Sequence, residues 1–131
     1  MVDAWSTTCA PCLRDFPQLV ALDQDFRKQG LRCVSFNCDY DGIPEKPPEH
    51  YRERVLRFLV KHEATFTNFQ ATTPLDVLLE TGTISGLPSV AVYGRDGALL
   101  RTFPAVNVAA AGAEIGYDEL QQLVSKLLNA P

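Results

Sequence analysis

The chain has 131 residues, with 12 Lys and Arg against 16 Asp and Glu and a formal net charge of −4. Hydrophobic residues make up 46% and charged residues 21%, a globular composition that excludes disorder, collagen and coiled coil. There is no basic stripe to follow a nucleic-acid backbone, and no apolar run of about 18 residues to span a membrane.

Such a length suits one domain, residues 1–131, able to bury roughly two thirds of its unfolded surface without a metal or a disulfide lattice. A monomer is expected. The opening residues Val2, Asp3, Ala4 and Trp5 read as the tail of a strand. They carry no leader pattern, so Met1 is taken as a start inside a longer protein whose first strand is cut short.

Helical spacing of Leu13, Phe16, Leu19, Val20 and Phe26 predicts a first helix, stopped by Gly30 and kinked by Pro17. Residues 31–37 read as a buried strand. A loop over 39–48, rich in Pro and Gly, leads to a helix over 48–62 with Tyr51, Val55, Phe58 and Leu59 on its apolar face. A weaker strand is expected over 65–70. Thr73 and Pro74 then look like the cap and first residue of a short helix ending near Gly82. Residues 89–93 and 98–103 flank Gly94-Arg95-Asp96-Gly97 and read as a β-hairpin. After a small-residue loop over 104–116, Asp118 is placed as the cap of a last helix carrying Leu120, Leu123, Val124, Leu127 and Leu128. Alternating strands and helices imply a parallel β core with helices on both faces, extended by an antiparallel hairpin.

The four cysteines are too sparse for a disulfide scaffold, so spacing decides their chemistry. Cys9-Ala10-Pro11-Cys12 falls where a strand ends and a helix begins. Two intervening residues let both sulfurs meet across the first helical turn. Backbone N–H groups there favour a thiolate at Cys9, and Cys12, one turn in, suits a resolving role. The reaction is thiol–disulfide exchange through a mixed disulfide. The alternatives are two unremarkable thiols or half of a zinc site, since the four cysteines read C-x2-C-x20-C-x4-C. However, Cys33 sits in an apolar strand, and an extended run to Cys38 spans about 16 Å, where a ligand pair wants a tight turn. Cys33 and Cys38 are read as buried thiols on opposite faces of a central strand, not paired with each other. His50 and His62 are read as surface or packing residues. No metal ligands are assigned.

At these residues the chain resembles the thioredoxin fold. The segment from Asp3 to Cys12 is similar to the thioredoxin active-site segment. Pro17 stands five residues after the second cysteine, where thioredoxins carry a helix-kinking proline, and Gly86-Leu87-Pro88-Ser89 resembles the cis-proline loop. The extra helix between Asp39 and Gln70, with Cys12-Leu13-Arg14-Asp15-Phe16-Pro17, resembles the TlpA/ResA-like redoxin branch. One departure is Thr8, which stands where thioredoxins usually carry a second Trp.

The resemblance implies a three-layer α/β/α sandwich with a central mixed sheet, and a thiol–disulfide oxidoreductase that needs no cofactor beyond the Cys9–Cys12 couple. It implies that Asp3 is a buried acid passing protons to and from Cys12, and that Asp15 is a second acid near the cysteines. Burial would raise the pKa of Asp3 into a useful range. The resemblance also implies a cis Pro88, a Leu87 backbone offering extended hydrogen bonds to substrate, and Trp5 as an aromatic wall under the active-site loop. Partners are then protein thiols and disulfides, cytochrome c precursors among them, and an electron donor that the sequence does not name. The place implied is extracytoplasmic, in a bacterial periplasm or membrane-anchored in the full-length protein, with a cytoplasmic one left open.

Two rivals stand beside this reading. A thiol peroxidase would aim a hydroxyl at Cys9, and Ser6 has the right spacing, but Val2 occupies the position of that motif's proline. The second is a non-enzymatic module of the same fold: a copper-delivery domain would use C-x-x-x-C plus a His, against C-x-x-C here, and a docking domain would show no insulin or mixed-thiol reduction.

Overall fold

In a computed structural model, the described residues are 1–104 and 116–131. The loop expected over 104–116 lies, apart from its two ends, outside them.

The elements follow in the order β1 (Val2–Trp5), α1 (Ala10–Phe26), β2 (Val34–Asn37), α2 (Pro48–Lys61), β3 (Thr67–Gln70), α3 (Leu75–Glu80), β4 (Ser89–Tyr93), β5 (Leu99–Pro104) and α4 (Tyr117–Leu128). The five strands form one sheet in the order β3-β2-β1-β4-β5. β1, β2 and β3 run parallel, because each crossover carries a helix. β4 is antiparallel to β1, and β5 is antiparallel to β4.

The sheet divides the apolar side chains into two sets. On one face Trp5, Phe16, Leu19, Tyr51, Val55, Val90, Leu120 and Val124 build the larger core between the sheet and α1, α2 and α4. On the other, Ala4, Cys38 and Ala71 pack against Leu78 of α3. The result is the expected three-layer α/β/α sandwich. Pro17 lies inside α1, and the helix runs on past it for nine more residues. Gly30 follows a short 3₁₀ turn with φ of 111°, a conformation that a side chain resists and that turns the chain toward β2.

Several boundaries differ from expectation. β2 begins at Val34, three residues later than the apolar run suggested. Cys33 and Cys38 therefore flank the strand instead of lying on it, although they still enter opposite cores. Pro74, not Thr73, occupies the cap position of α3, and no side chain caps that helix. Gly116 takes the cap position of α4, leaving Asp118 in its first turn, where it faces the positive end of the helix dipole.

Candidate active site

β1 ends at Trp5, and the chain must turn before α1 can start. Ser6 and Thr8 make that turn. The Cys9 N–H donates to Ser6 O at 3.3 Å, and the Thr8 N–H donates to Ser6 Oγ at 3.1 Å. Cys9 is the N-cap residue of α1, and its Sγ accepts the Cys12 N–H at 3.3 Å. The two cysteines are joined by a disulfide with their Cα atoms 5.2 Å apart. The Cys9 sulfur lies at the positive end of a 17-residue helix, a place that favours a thiolate over a thiol. The two sulfurs are not equivalent. Cys9 is half-buried at the surface, whereas Cys12 is 1% exposed.

Asp3 and Asp15 lie inside this end of the molecule, 3% and 7% exposed. Burial pushes the Asp3 carboxyl pKa well above the ordinary carboxylate range, and the Asp15 charge pushes it further. Asp3 Oδ1 has no hydrogen-bond partner among the described residues, and neither has the buried hydroxyl of Tyr117. Burial raises the Tyr117 pKa as well, with Asp3, Asp15 and Cys33 adding to the effect. Sequence reasoning gave Tyr117 no role. Its only signal was an aromatic hydroxyl at the start of an amphipathic helix.

The cis-proline loop reaches the same sheet edge. Ala4 is paired with Ser89, so the chain leaving β1 and the chain entering β4 lie side by side. The Leu87–Pro88 peptide is cis. Pro88 is buried, while Leu87 is half-buried and packs against both cores. Trp5, expected as an aromatic wall under the active-site loop, is 0% exposed. Its ring lies 4.9 Å from those of both Phe16 and Phe58, so it supports the turn from below as packing.

The remaining candidates separate from the site. Cys33 and Cys38 are free and buried, and burial, the largest cause for each, pushes each thiol up to about 12. They sit in different cores, so the four cysteines cannot converge on one zinc ion. Among the described residues, no group of three or more His, Cys, Asp or Glu is placed to hold a metal. His50 is exposed, and His62 stacks beside Phe58 at 4.3 Å. Ser6, which a peroxidase would aim at Cys9, is buried with its Oγ 2.8 Å from Thr8 Oγ1.

One residue beside the site went unnoticed in the sequence. Asp39 reads there only as the first residue of a loop, yet its carboxylate is buried against Thr7, two residues before Cys9. An acid directly after an apolar parallel strand, at the edge that also carries Cys9, was the one available signal.

No family model matches the chain, and neither does any curated protein sequence. Solved structures do match. One is a Chlorobium tepidum protein assigned as the thiol:disulfide interchange protein DsbE, with a TM-score of 0.70 at 19% identity over 98% of this chain and 78% of that one. Another is a secreted Mycobacterium tuberculosis disulfide oxidoreductase homologous to E. coli DsbE, with a TM-score of 0.67 at 18% identity over 96% and 79%. A third is a thiol:disulfide interchange protein of the thioredoxin family from Chlorobium tepidum, with a TM-score of 0.64 at 16% identity over 98% and 78%. These likenesses define the class of the fold. The chain is a thioredoxin-like α/β/α sandwich that carries a C-x-x-C pair at the start of its first helix.

Proposed function

We propose that the chain is a thiol–disulfide oxidoreductase acting on protein thiols and disulfides, of the TlpA/ResA-like kind, and that residues 1–131 form one thioredoxin-like domain working as a monomer. The observation that carries this reading is the asymmetric Cys9–Cys12 disulfide, with one sulfur reachable at a helix N-terminus and the other buried a turn behind it.

In the reducing direction the Cys9 thiolate attacks a substrate disulfide. One substrate sulfur leaves as a thiol, and Cys9 holds the other in a mixed disulfide. Cys12 then loses its proton and attacks Cys9 Sγ. The second substrate thiol leaves, and the Cys9–Cys12 bond forms. Cys12 is buried, so its proton needs a buried acceptor. Asp3, with its raised pKa, is that group, and Asp15 tunes it through their mutual charge. The Leu87 backbone, before the cis Pro88, offers an extended substrate segment its hydrogen bonds.

No cofactor is required, because the two sulfurs carry both electrons. A separate electron donor restores the dithiol. The similar solved structures include that of a secreted disulfide oxidoreductase, which supports an extracytoplasmic place for this chain. The test is dithiothreitol-driven insulin reduction. The wild-type chain accelerates it, and Cys9→Ser abolishes the acceleration. A wild-type chain no faster than dithiothreitol alone would leave the docking-module reading in its place.

A further inference from the structure

The turn between β1 and α1 holds the reacting sulfur, and turns of this kind are ordinarily among the more mobile parts of a fold. This one is fastened from outside. The Asp39 side chain is 0% exposed. A buried carboxylate is costly unless its oxygens are satisfied, and here four donors reach them. Oδ1 accepts the Thr7 N–H at 2.7 Å and Asn37 Nδ2 at 3.2 Å. Oδ2 accepts the Thr7 hydroxyl at 2.5 Å and Arg54 Nη2 at 3.1 Å. The Asp39 N–H in turn donates to Asn37 Oδ1 at 3.0 Å, which fixes the carboxylate's own backbone.

Two of the four bonds go to one residue, Thr7, and they hold its backbone and its side-chain rotamer together. Bonds to an ionised acceptor are about twice as strong as neutral ones. Thr7 lies two residues before Cys9, and the turn is closed on the other side by the Cys9 N–H on Ser6 O. The Arg54 side chain is 51% exposed, so its ion pair is the weaker, solvent-facing part of the grip. It nevertheless ties the arrangement to α2. From the same helix, the Tyr51 hydroxyl donates to Asp41 Oδ1 at 2.8 Å and holds the segment that carries Asp39.

We propose that Asp39 is a positioning residue for Cys9: through Thr7 it orders the turn that presents the attacking sulfur, and through Arg54 it ties that turn to α2. The proposal rests on the reading of Cys9 as the reacting thiol. Its physical content is entropic. A turn that is already ordered in the dithiol form loses little freedom when the disulfide closes, so the grip favours the closed bond.

The test is the equilibrium of the full chain with glutathione. Two protein thiols lose two electrons and two protons to one glutathione disulfide, giving the Cys9–Cys12 bond and two glutathione thiols. Asp39→Ala lowers this equilibrium constant about tenfold, which corresponds to roughly 30 mV. Asp39→Asn still offers Thr7 an acceptor oxygen and recovers at least half of that change on a logarithmic scale. The partial rescue separates holding the turn from simply removing a charge, since a purely electrostatic effect moves both variants equally. Thr7→Val, which keeps the Thr7 N–H bond and loses the hydroxyl bond, lowers the constant about threefold. It serves as the reporter if Asp39→Ala fails to fold. A folded Asp39→Ala within twofold of wild type, equal shifts for the Ala and Asn variants, or an unchanged Thr7→Val would overturn the proposal. Insulin reduction is not part of the readout, so failure here and failure of the proposed function are told apart.

Discussion

Asp3 on β1 and Asp15 on α1 are coupled: both are buried, and the Asp15 charge adds to burial in driving the Asp3 pKa upward. The coupling joins the strand that delivers the cysteine pair to the helix that carries it. A carboxyl held in this way keeps its proton to higher pH than an ordinary carboxylate, and can give it up when a neighbouring thiol needs a base.

For catalysis, Asp3→Asn should slow the resolving step about a hundredfold and leave the first attack by Cys9 nearly unchanged. The wild-type rate of resolution rises with pH as Asp3 loses its proton, and the variant lacks that limb. Rapid-mixing measurements of mixed-disulfide decay across pH check both statements. An unchanged pH profile in the variant removes Asp3 from the mechanism.

For stability, the sign is fixed by the direction of the shift. The folded-state pKa of Asp3 lies above its ordinary value of 3.8. The folded protein therefore holds this proton more tightly than the unfolded chain does, and the contribution is fully present below that value. It is lost as pH rises through the raised folded pKa, where a charge becomes trapped in the core. Asp3→Asn should thus be more stable than wild type at neutral pH and lose the advantage toward pH 4. Urea midpoints measured at both ends of that range decide it, and a variant less stable at neutral pH contradicts the burial argument.

Thiol counting tests the inert pair. Cys33 and Cys38 are buried, with thiols pushed up to about 12. The oxidised native protein should show almost no reaction with a disulfide dye at about pH 8, and two thiols should appear on unfolding. Rapid labelling of the native protein would assign one of them a redox role of its own.

Phe16 is 0% exposed, with its ring 4.9 Å from Trp5 and 5.1 Å from Phe58. Phe16→Ala leaves a cavity directly beneath the turn and should cost roughly 3–5 kcal/mol by denaturant unfolding. A loss below about 1 kcal/mol would show that α2 closes the space.

Features set by neighbours along the chain are legible in the amino-acid sequence. The cysteine pair follows a strand and opens a helix, and both elements have clear hydrophobic periods. The hairpin turn is written in Gly94 and Gly97. Less local features are not legible there. Thr7 and Asp39 are 32 residues apart, and Arg54 is 15 residues beyond Asp39, so nothing in the linear pattern joins them. The ends of β2 escape for a related reason: an apolar run shows that residues are buried, and the ladder alone shows which of them pair. Trp5 illustrates the converse. Its place before the cysteine pair suggests a wall under the active-site loop, while the neighbours that bury it, Phe16 and Phe58, come from distant parts of the chain.

The central claim is that Cys9 attacks and Cys12 resolves. Mass spectrometry of each single-cysteine variant, mixed with a protein disulfide substrate, tests it directly. Cys12→Ser should accumulate a stable adduct linked through Cys9, because the buried partner that releases it is gone, and Cys9→Ser should accumulate none. Adducts on Cys12 in the Cys9→Ser chain, or no adduct on either, would contradict the assignment.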